Sequence, residues 1–543
     1  EMCIRDRHNF AGSAAQTNHF SGSKPVLNFG NTTSWAIHPA LPTGLALGST
    51  NGTLWGTPSA SIPQTNFTIF ANNSGGSSSF VLNLGVNLGA PGPFQYIPEN
   101  NTLTNNTEFH LAPQFINGTT GNGSTWQVAN IHPDTGVGGN PGAKMAILVG
   151  DTIYFDASGG SGGQELWAYD ISNDSTWRVA NINIGSYSSS WPGQFMSVLV
   201  GDTIYFDAND GSTGTELWAH DTSNHSTWRV TDINSGASGS SPGTLMHILV
   251  GDTIYFNARD GVDSASTGAE LWAHDTSNDS TWRVTDINSG ATSSSPGLNM
   301  IFLIGDTLYF DASSGGTGAN RELWAHDTSN HSTWQVVDVS PGGNGNVGLH
   351  MSSLVGDTIY FAANDGSTGH ELWAHDTSNH STWRVADINS GGSSTHSYPG
   401  QYMEILIGDT LYFSADDGST GHELWAHDTS NHSTWQAAEI NTWVMMSGAS
   451  LASYPGECMA VSVGDTLYFS AVYGGSGVEL WAHDTSNHST WQVDDINSGG
   501  SSSHSNPGIW LETVVADTLY FSADDGSTCL LYTSDAADDT CCV

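Results

Sequence analysis

The stretch Leu245–Asn288, LMHILVGDTIYFNARDGVDSASTGAELWAHDTSNDSTWRVTDIN, decides how the rest of this chain reads. Met246–Val250 and Thr253–Phe256 flank Gly251-Asp252, a Gly-first two-residue turn of the kind that joins antiparallel strands. Glu270–His274 and Thr281–Val284 form a second pair across Asp275–Ser280, whose Asp, Asn and Ser side chains can bond their own backbone. No window carries a helical period of apolar residues. The unit therefore predicts four short antiparallel strands.

The unit recurs along the chain. The Asp of Gly-Asp-Thr (once Ala-Asp-Thr) stands at 151, 202, 252, 306, 357, 409, 465 and 517, with spacings of 50 to 56 residues. Glu-Leu-Trp follows with its anchoring Trp at Trp167, Trp218, Trp272, Trp324, Trp373, Trp425 and Trp481, and a Ser-Thr-Trp strand closes each unit. Four strands per repeat suit a β-propeller, whereas a β-helix needs parallel strands that a two-residue hairpin cannot join. The expected fold is all-β. Seven complete units fill 144–497, and the half-units at 109–128 and 512–521 are expected to join as an eighth blade. A seven-bladed ring is the alternative.

Tyr205-Phe206, Glu216-Leu217-Trp218-Ala219-His220-Asp221 and Trp228-Arg229-Val230 resemble the Kelch pattern, and more closely the "ELW" repeats of bacterial and archaeal surface proteins. The double Gly of Kelch is replaced by Asp207-Ala208. Residues 22–88 lack the repeat. Their Leu41-Pro42-Thr43-Gly44-Leu45, Gly52-Thr53-Leu54-Trp55-Gly56-Thr57-Pro58 and Asn66–Asn72 resemble the immunoglobulin-like domains of microbial surface proteins, which implies a small β-sandwich. The organisation expected is an artefactual or disordered start over 1–21, the immunoglobulin-like domain over 22–88, a linker over 89–99, the propeller over 100–528 and an artefactual tail over 529–543. Glu1–Arg7 and Cys529–Val543 resemble translated sequencing-adapter read-through. The resemblances imply an extracellular or cell-surface location.

Ten Lys plus Arg against 53 Asp plus Glu give a net charge of −43. That sign opposes binding to nucleic acid, which needs a basic footprint. No stretch reaches the roughly 18 apolar residues of a membrane span. Four of the five Cys lie at the termini and leave Cys458 alone, so no disulfide framework is expected.

Two kinds of loop carry candidate chemistry. Asp207, Asn209, Asp210, Asn364, Asp365, Asp416 and Asp417 lie in acidic, Gly-rich loops between the second and third strands, where clustered oxygens suit calcium. The same residues form turns without an ion, and both readings stand here. The opposite ends carry Asn-x-Ser glycosylation sequons at Asn173, Asn224, Asn278, Asn330, Asn379, Asn431 and Asn487. His220 and His225 bracket one such turn and could pair on a metal. No catalytic residue is assigned. A sialidase would need an Arg cluster, yet Arg178, Arg229, Arg283 and Arg384 all fall in fourth strands. The chain is expected to be a non-enzyme that binds a glycan or a surface protein. A structural spacer is the alternative and a propeller glycoside hydrolase ranks lower. The irregular stretches 344–347 and 441–453 favour a recognition site.

Overall fold

The computed structural model describes residues 127–132 and 138–526, apart from 161–162, 186–187, 262–267, 291, 316–319, 444–450, 501–502 and 516. It also describes the segments 4–5, 20–23, 26–27, 34–41, 45–47, 54–56, 62–73, 76–86, 94–95, 114–115 and 529–535. The described residues are all-β, and the chain divides into two compact units, Glu1–Val128 and Ala129–Val543.

In the first unit Ser34–His38, Ile62–Asn73 and Gly76–Val86 form one antiparallel three-stranded sheet. Phe20–Ser23, Leu54–Gly56 and Leu45–Leu47 form another. Trp35, Phe67 and Ile69 are buried.

The second unit repeats one sheet. Seven four-stranded antiparallel sheets, each in simple up-and-down order, occupy 146–180, 197–229, 247–283, 301–337, 352–386, 404–438 and 460–494, and are called sheets one to seven. In sheet two the strands are Ser197–Val200, Thr203–Asn209, Thr215–Asp221 and Ser226–Arg229. Its Gly201 sits at φ +60° between paired Val200 and Thr203, the two-residue hairpin expected of Gly-Asp. The hairpin between the second and third strands lies at one end of each sheet, together with the loop to the next sheet. The Gly-Asp and Asp-Thr-Ser-Asn turns lie at the other end.

Sheet eight comprises Glu512–Val515, Thr518–Asp524 and Cys529–Asp535. This corrects the closure expected from sequence. The third strand of sheet eight comes from the segment that follows it, because a short hairpin closes at less entropic cost than pairing with the far end of the chain. Residues 109–111 and 125–126 lie outside the described residues, and Gln127 and Val128 are not in a strand.

Consecutive sheets pack face to face. Because side chains alternate along a strand, Ile204, Phe206 and Ala208 face sheet one, while Tyr205 faces sheet three. Each of the seven interfaces repeats this set: Met, Tyr, Leu and Ala of one sheet against Ile or Leu, Phe and Ala of the next. The Glu-Leu-Trp indole joins it, Trp218 packing on the cluster between sheets one and two. Burying one such Phe contributes about 1.5–3 kcal/mol.

A close contact that recurs from sheet to sheet is a methionine of one sheet under a glycine of the loop that opens the next. A Cβ added at Gly243, φ +79°, would lie 2.5 Å from Met196 Cβ, and Gly193, Gly297, Gly348, Gly400, Gly456 and Gly508 meet Met145, Met246, Met300, Met351, Met403 and Met459 in the same way. Among the described residues no methionine lies within 4 Å of a Cβ at Gly142 other than Met145 through its carbonyl oxygen, and Leu511, in the methionine position of sheet eight, is 45% exposed.

Gly243→Ala is expected to cost about 2–4 kcal/mol, adding overpacking to the left-handed backbone penalty. Gly251→Ala, also at positive φ but with nothing within 4 Å, should cost about 1–2 kcal/mol. Urea midpoints of the two variants compared with the parent chain check the difference.

Candidate functional site

Each sheet is tied to its exit loop by a buried carboxyl. Glu216 is inaccessible to solvent and accepts the backbone N–H of Ile233 at 3.0 Å, the N–H of Ser240 at 2.8 Å and its hydroxyl at 2.6 Å. Glu165, Glu270, Glu322, Glu371, Glu423 and Glu479 hold the equivalent loops. Burial pushes the carboxyls of Glu165, Glu216, Glu270, Glu322, Glu371 and Glu423 up to about 7, against the pull of these hydrogen bonds. These glutamates are part of the frame.

The calcium candidates separate into two settings. Asp207 is fully buried, and its Oδ1 accepts the N–H groups of Phe195 at 2.8 Å and Met196 at 3.0 Å, fixing the start of the first strand. Burial pushes its carboxyl up to about 7. Asn209 and Asp210 are part-exposed turn formers. Asn209 accepts the Gly211 N–H, and Asp210 Oδ1 accepts the N–H groups and hydroxyls of Ser212 and Thr213 at 2.8–3.0 Å. Asn364 and Asp365 in sheet five, and Asp416 and Asp417 in sheet six, close their own turns likewise. Among the described residues no group of three or more His, Cys, Asp or Glu is arranged to hold a metal ion.

The sequon asparagines lie on exposed turns. Nδ2 of Asn173, Asn224, Asn278, Asn330, Asn379, Asn431 and Asn487 donates to the Asp three residues earlier at 2.5–2.8 Å. Each Oδ1 accepts the N–H two residues on at 2.9–3.1 Å. The proposed histidine pair divides. His225 is exposed at φ +60°, whereas His220 is buried, with Nδ1 2.8 Å from Thr227 Oγ1 and its ring 5.2 Å from Tyr154 of sheet one. Burial first, and the following turn histidine second, hold the imidazoles of His220, His326, His375, His427 and His483 down at about 4.

Against this constant frame, two positions at the exit-loop end vary from sheet to sheet. One is the residue before Glu-Leu-Trp: Gln164, Thr215, Ala269, Arg321, His370, His422 and Val478. The other lies two residues before the loop glycine, ahead of a Pro (once Val347), and is left-handed in every copy, φ +44° to +51°: Asn140, Trp191, Ser241, Ser295, Asn346, Tyr398, Tyr454 and Asn506. Asn tolerates that backbone, while a bulky aromatic residue is strained by it. In sheets five and six the variable positions meet. His370 stacks on Tyr398 at 5.2 Å and 26°, and His396 lies 5.1 Å from His370 and 4.9 Å from Tyr398. Asn346 Nδ2 is 3.4 Å from His370 Nε2. Tyr402 stands perpendicular to His422 at 5.0 Å, and Tyr454 stacks over His422 at 6.0 Å. His350 touches Tyr398 from the side, at 5.8 Å. Nδ1 of both His370 and His422 is buried without a partner.

Sheets one and four satisfy this region internally. Gln164 donates to Asp156, and Arg321 pairs with Asp311 at 2.5 Å and donates to Ser295 O at 3.0 Å. Sequence reasoning marked 344–347 and 441–453. Asn344, Asn346 and Ser453 do border the cluster, and 444–450 lie outside the described residues. It missed His370, Tyr398, His422 and Tyr454, whose signal was departure from the repeat at two fixed positions.

A family model described as "Putative Ig domain" (He_PIG) matches residues 9–87. No curated protein matches the chain. Similar solved structures include a puromycin hydrolase, 12% identical with a TM-score of 0.33 over 70% of this chain and 58% of that one. Another comes from a study of two prolyl endopeptidases, 10% identical, TM-score 0.32, covering 70% of this chain and 54% of that one. A third is a puromycin-hydrolyzing peptidase of Mycobacterium tuberculosis, 10% identical, TM-score 0.30, covering 70% and 56%. The chain thus spans a little over half the length of these structures, and likenesses this distant carry no argument about its chemistry. The expectation of a non-enzyme is withdrawn, since these similar structures are a hydrolase and peptidases, and no activity is assigned to the chain from them. Among the described residues no helix is long and apolar enough to cross a membrane.

The buried glutamates and histidines titrate in opposite senses. A carboxyl raised to about 7 gives stability that is full below its unfolded value and lost as pH climbs towards 7. An imidazole lowered to about 4 gives stability that is full above its unfolded value and lost as pH falls towards 4. Relative to the parent chain, the stability deficit of Glu216→Gln should shrink as pH rises through that window, and that of His220→Asn should shrink as pH falls. Denaturant titrations across the window read both slopes.

Proposed function

We propose that the protein is an exported or surface-attached binding protein, an immunoglobulin-like module followed by an eight-bladed β-propeller, that holds a glycan at the loop ends of sheets five and six. The single observation behind the glycan reading is the pair of left-handed tyrosines, Tyr398 and Tyr454, stacked on His370 and His422. Backbone strain held at two neighbouring positions, and relieved by Asn or Ser at most others, fits a surface kept for contact. Tyrosine rings offer an apolar face to the C–H side of a sugar, and Asn344 and Asn346 bring amides for its hydroxyls. Tyr454 is 37% exposed and Tyr398 partly so. The family match over 9–87 supports the surface-protein setting. The sameness of the seven inter-sheet joints favours a second reading, a spacer within a surface protein.

Titration calorimetry with a panel of neutral and acidic oligosaccharides tests the proposal. Tyr398→Ala and Tyr454→Ala should each weaken binding about tenfold or more, while Ser241→Ala at the same position of another loop leaves it unchanged. Heat without any dependence on the two tyrosines, or no heat from any oligosaccharide, would overturn the glycan reading. Chromatography of the sugar after incubation separates holding from cleavage.

A further inference from the structure

Just before the first strand of each sheet, two backbone N–H groups converge on one side chain of the second strand. In sheet four Oδ1 of Asp311 accepts from Asn299 at 2.9 Å and Met300 at 3.0 Å, while Oδ2 takes the guanidinium of Arg321, the residue before Glu-Leu-Trp. In sheet one Asp156 holds Lys144, Met145 and Gln164 in the same way. An Asp or Asn oxygen caps the equivalent amides in sheets two and three, and a serine hydroxyl does so in sheets six to eight. Sheet five carries Ala362 at this position, which has no oxygen to offer. Its backbone keeps the common geometry: the Ala362 N–H donates to Met351 O at 3.1 Å and its carbonyl accepts from Gly348 at 2.9 Å, as Asp207 pairs with Met196 and Gly193 at 3.3 and 2.9 Å. The N–H groups of His350 and Met351 therefore stand as in the other sheets, without the side-chain acceptor found there.

His370 supplies a third donor, from the position that Gln164 and Arg321 use to reach the aspartate. Its tautomer is set by a relay. Asn344 Oδ1 accepts the Arg321 N–H, so Asn344 Nδ2 donates to Asn346 Oδ1 at 2.7 Å, and Asn346 Nδ2 is left to face His370 Nε2 at 3.4 Å. Nε2 is then the acceptor. Burial first, then the charges of His396 and His350, hold this imidazole down at about 4, so at neutral pH its one proton is on Nδ1. The residue is 6% exposed, and Nδ1 has no partner.

We propose that sheet five binds the carboxylate of an acidic sugar in the place that the Asp156 and Asp311 carboxylates fill in sheets one and four. One oxygen accepts from the N–H groups of His350 and Met351, and the other from His370 Nδ1–H. The sugar clause rests on the glycan reading, whereas the carboxylate site does not. Three donors aimed at one carboxyl position make charge-assisted bonds, and the repeat itself shows that a carboxylate fits them. The carboxyls of the neighbouring elements are engaged elsewhere. Alternation turns Glu371 away from His370, where it accepts from Ile388 and Ser397, and Glu404 of sheet six accepts from the Ser352 N–H and the Ser353 hydroxyl. The net charge of −43 opposes an anion at long range, so contact must do the selecting. Tyr398 stacks on the same imidazole and His350 is exposed beside it, so a uronate lying on the tyrosine has its acid group next to these donors.

Titration calorimetry of the full chain at neutral pH with trigalacturonate and with its methyl ester tests the site. The free acid is expected to bind about tenfold or more tightly than the ester. Ala362→Asn, which installs the uncharged acceptor of sheet three, should abolish that preference and leave ester binding unchanged, so that the loss cannot be charge repulsion. Ala362→Ser, the smaller residue of sheets six to eight, should act likewise, and urea midpoints confirm that each variant folds. Equal binding of acid and ester, a preference that survives in both variants, or no heat from either compound would overturn the proposal. Equal binding that still depends on Tyr398 would do so while leaving the glycan reading intact. Binding of the acid that is lost in Ala362→Asn but unchanged in Tyr398→Ala would keep the carboxylate site and remove the glycan reading. A peptide whose free C-terminal carboxylate outbinds trigalacturonate at these donors would overturn the sugar clause.

Discussion

The chain between the fourth strand of one sheet and the first strand of the next has no strand to pair with, so its amides need acceptors from elsewhere. A buried carboxyl supplies them. Glu216 takes two backbone N–H groups and one hydroxyl, and each of its six counterparts accepts at least one backbone N–H of the same loop. A buried amide left without a partner costs about 1–3 kcal/mol, and a carboxylate left without donors costs more, so each member of the set holds the other in place. With the loop fixed, its glycine arrives over the methionine of the preceding sheet and sets the spacing at which the next sheet packs. Sequence, loop path, inter-sheet distance and the surface at the loop ends therefore all follow from one glutamate per repeat.

A frame defined this strictly leaves few positions free. The residue before the glutamate and the left-handed residue before the loop glycine keep the same backbone place in every copy while their side chains differ. Sheets one and four fill the space with pairs that satisfy themselves, Gln164 with Asp156 and Arg321 with Asp311. Sheets five and six fill it with imidazole and phenol rings, which bond less completely and leave Nδ1 of His370 and of His422 without partners. The difference sets sheets five and six apart from sheets one and four.

The hairpins were legible because Gly251-Asp252 permits few turn types, and the strands because apolar and aromatic residues cluster between such turns. Glu216 recurs in each of the seven Glu-Leu-Trp units, which fits the structural role its hydrogen bonds give it. Asp207 was misplaced in sequence reasoning, since neighbours Asn209 and Asp210 drew it into the open loop. Strand alternation instead turns it inward from Phe206 and Ala208, to cap the first strand. His220 was harder. Its partners, Thr227 and Tyr154, come from another strand and another sheet, and no spacing within a repeat predicts that meeting. The third strand of sheet eight and the cluster around Tyr398 depend likewise on particular contacts, which periodicity describes only on average.

The methionine-under-glycine joint has two complementary halves, and every interior sheet carries one of each. Any sheet therefore fits after any other. At the level of the gene, an unequal exchange between two repeats adds or removes a whole unit without creating a mismatched interface, because each new neighbour presents the same glycine to the same methionine. Sheet number can drift by duplication while stability per sheet stays nearly constant. Copies that arise in this way begin identical, and only the positions outside the joint are free to diverge into recognition surfaces.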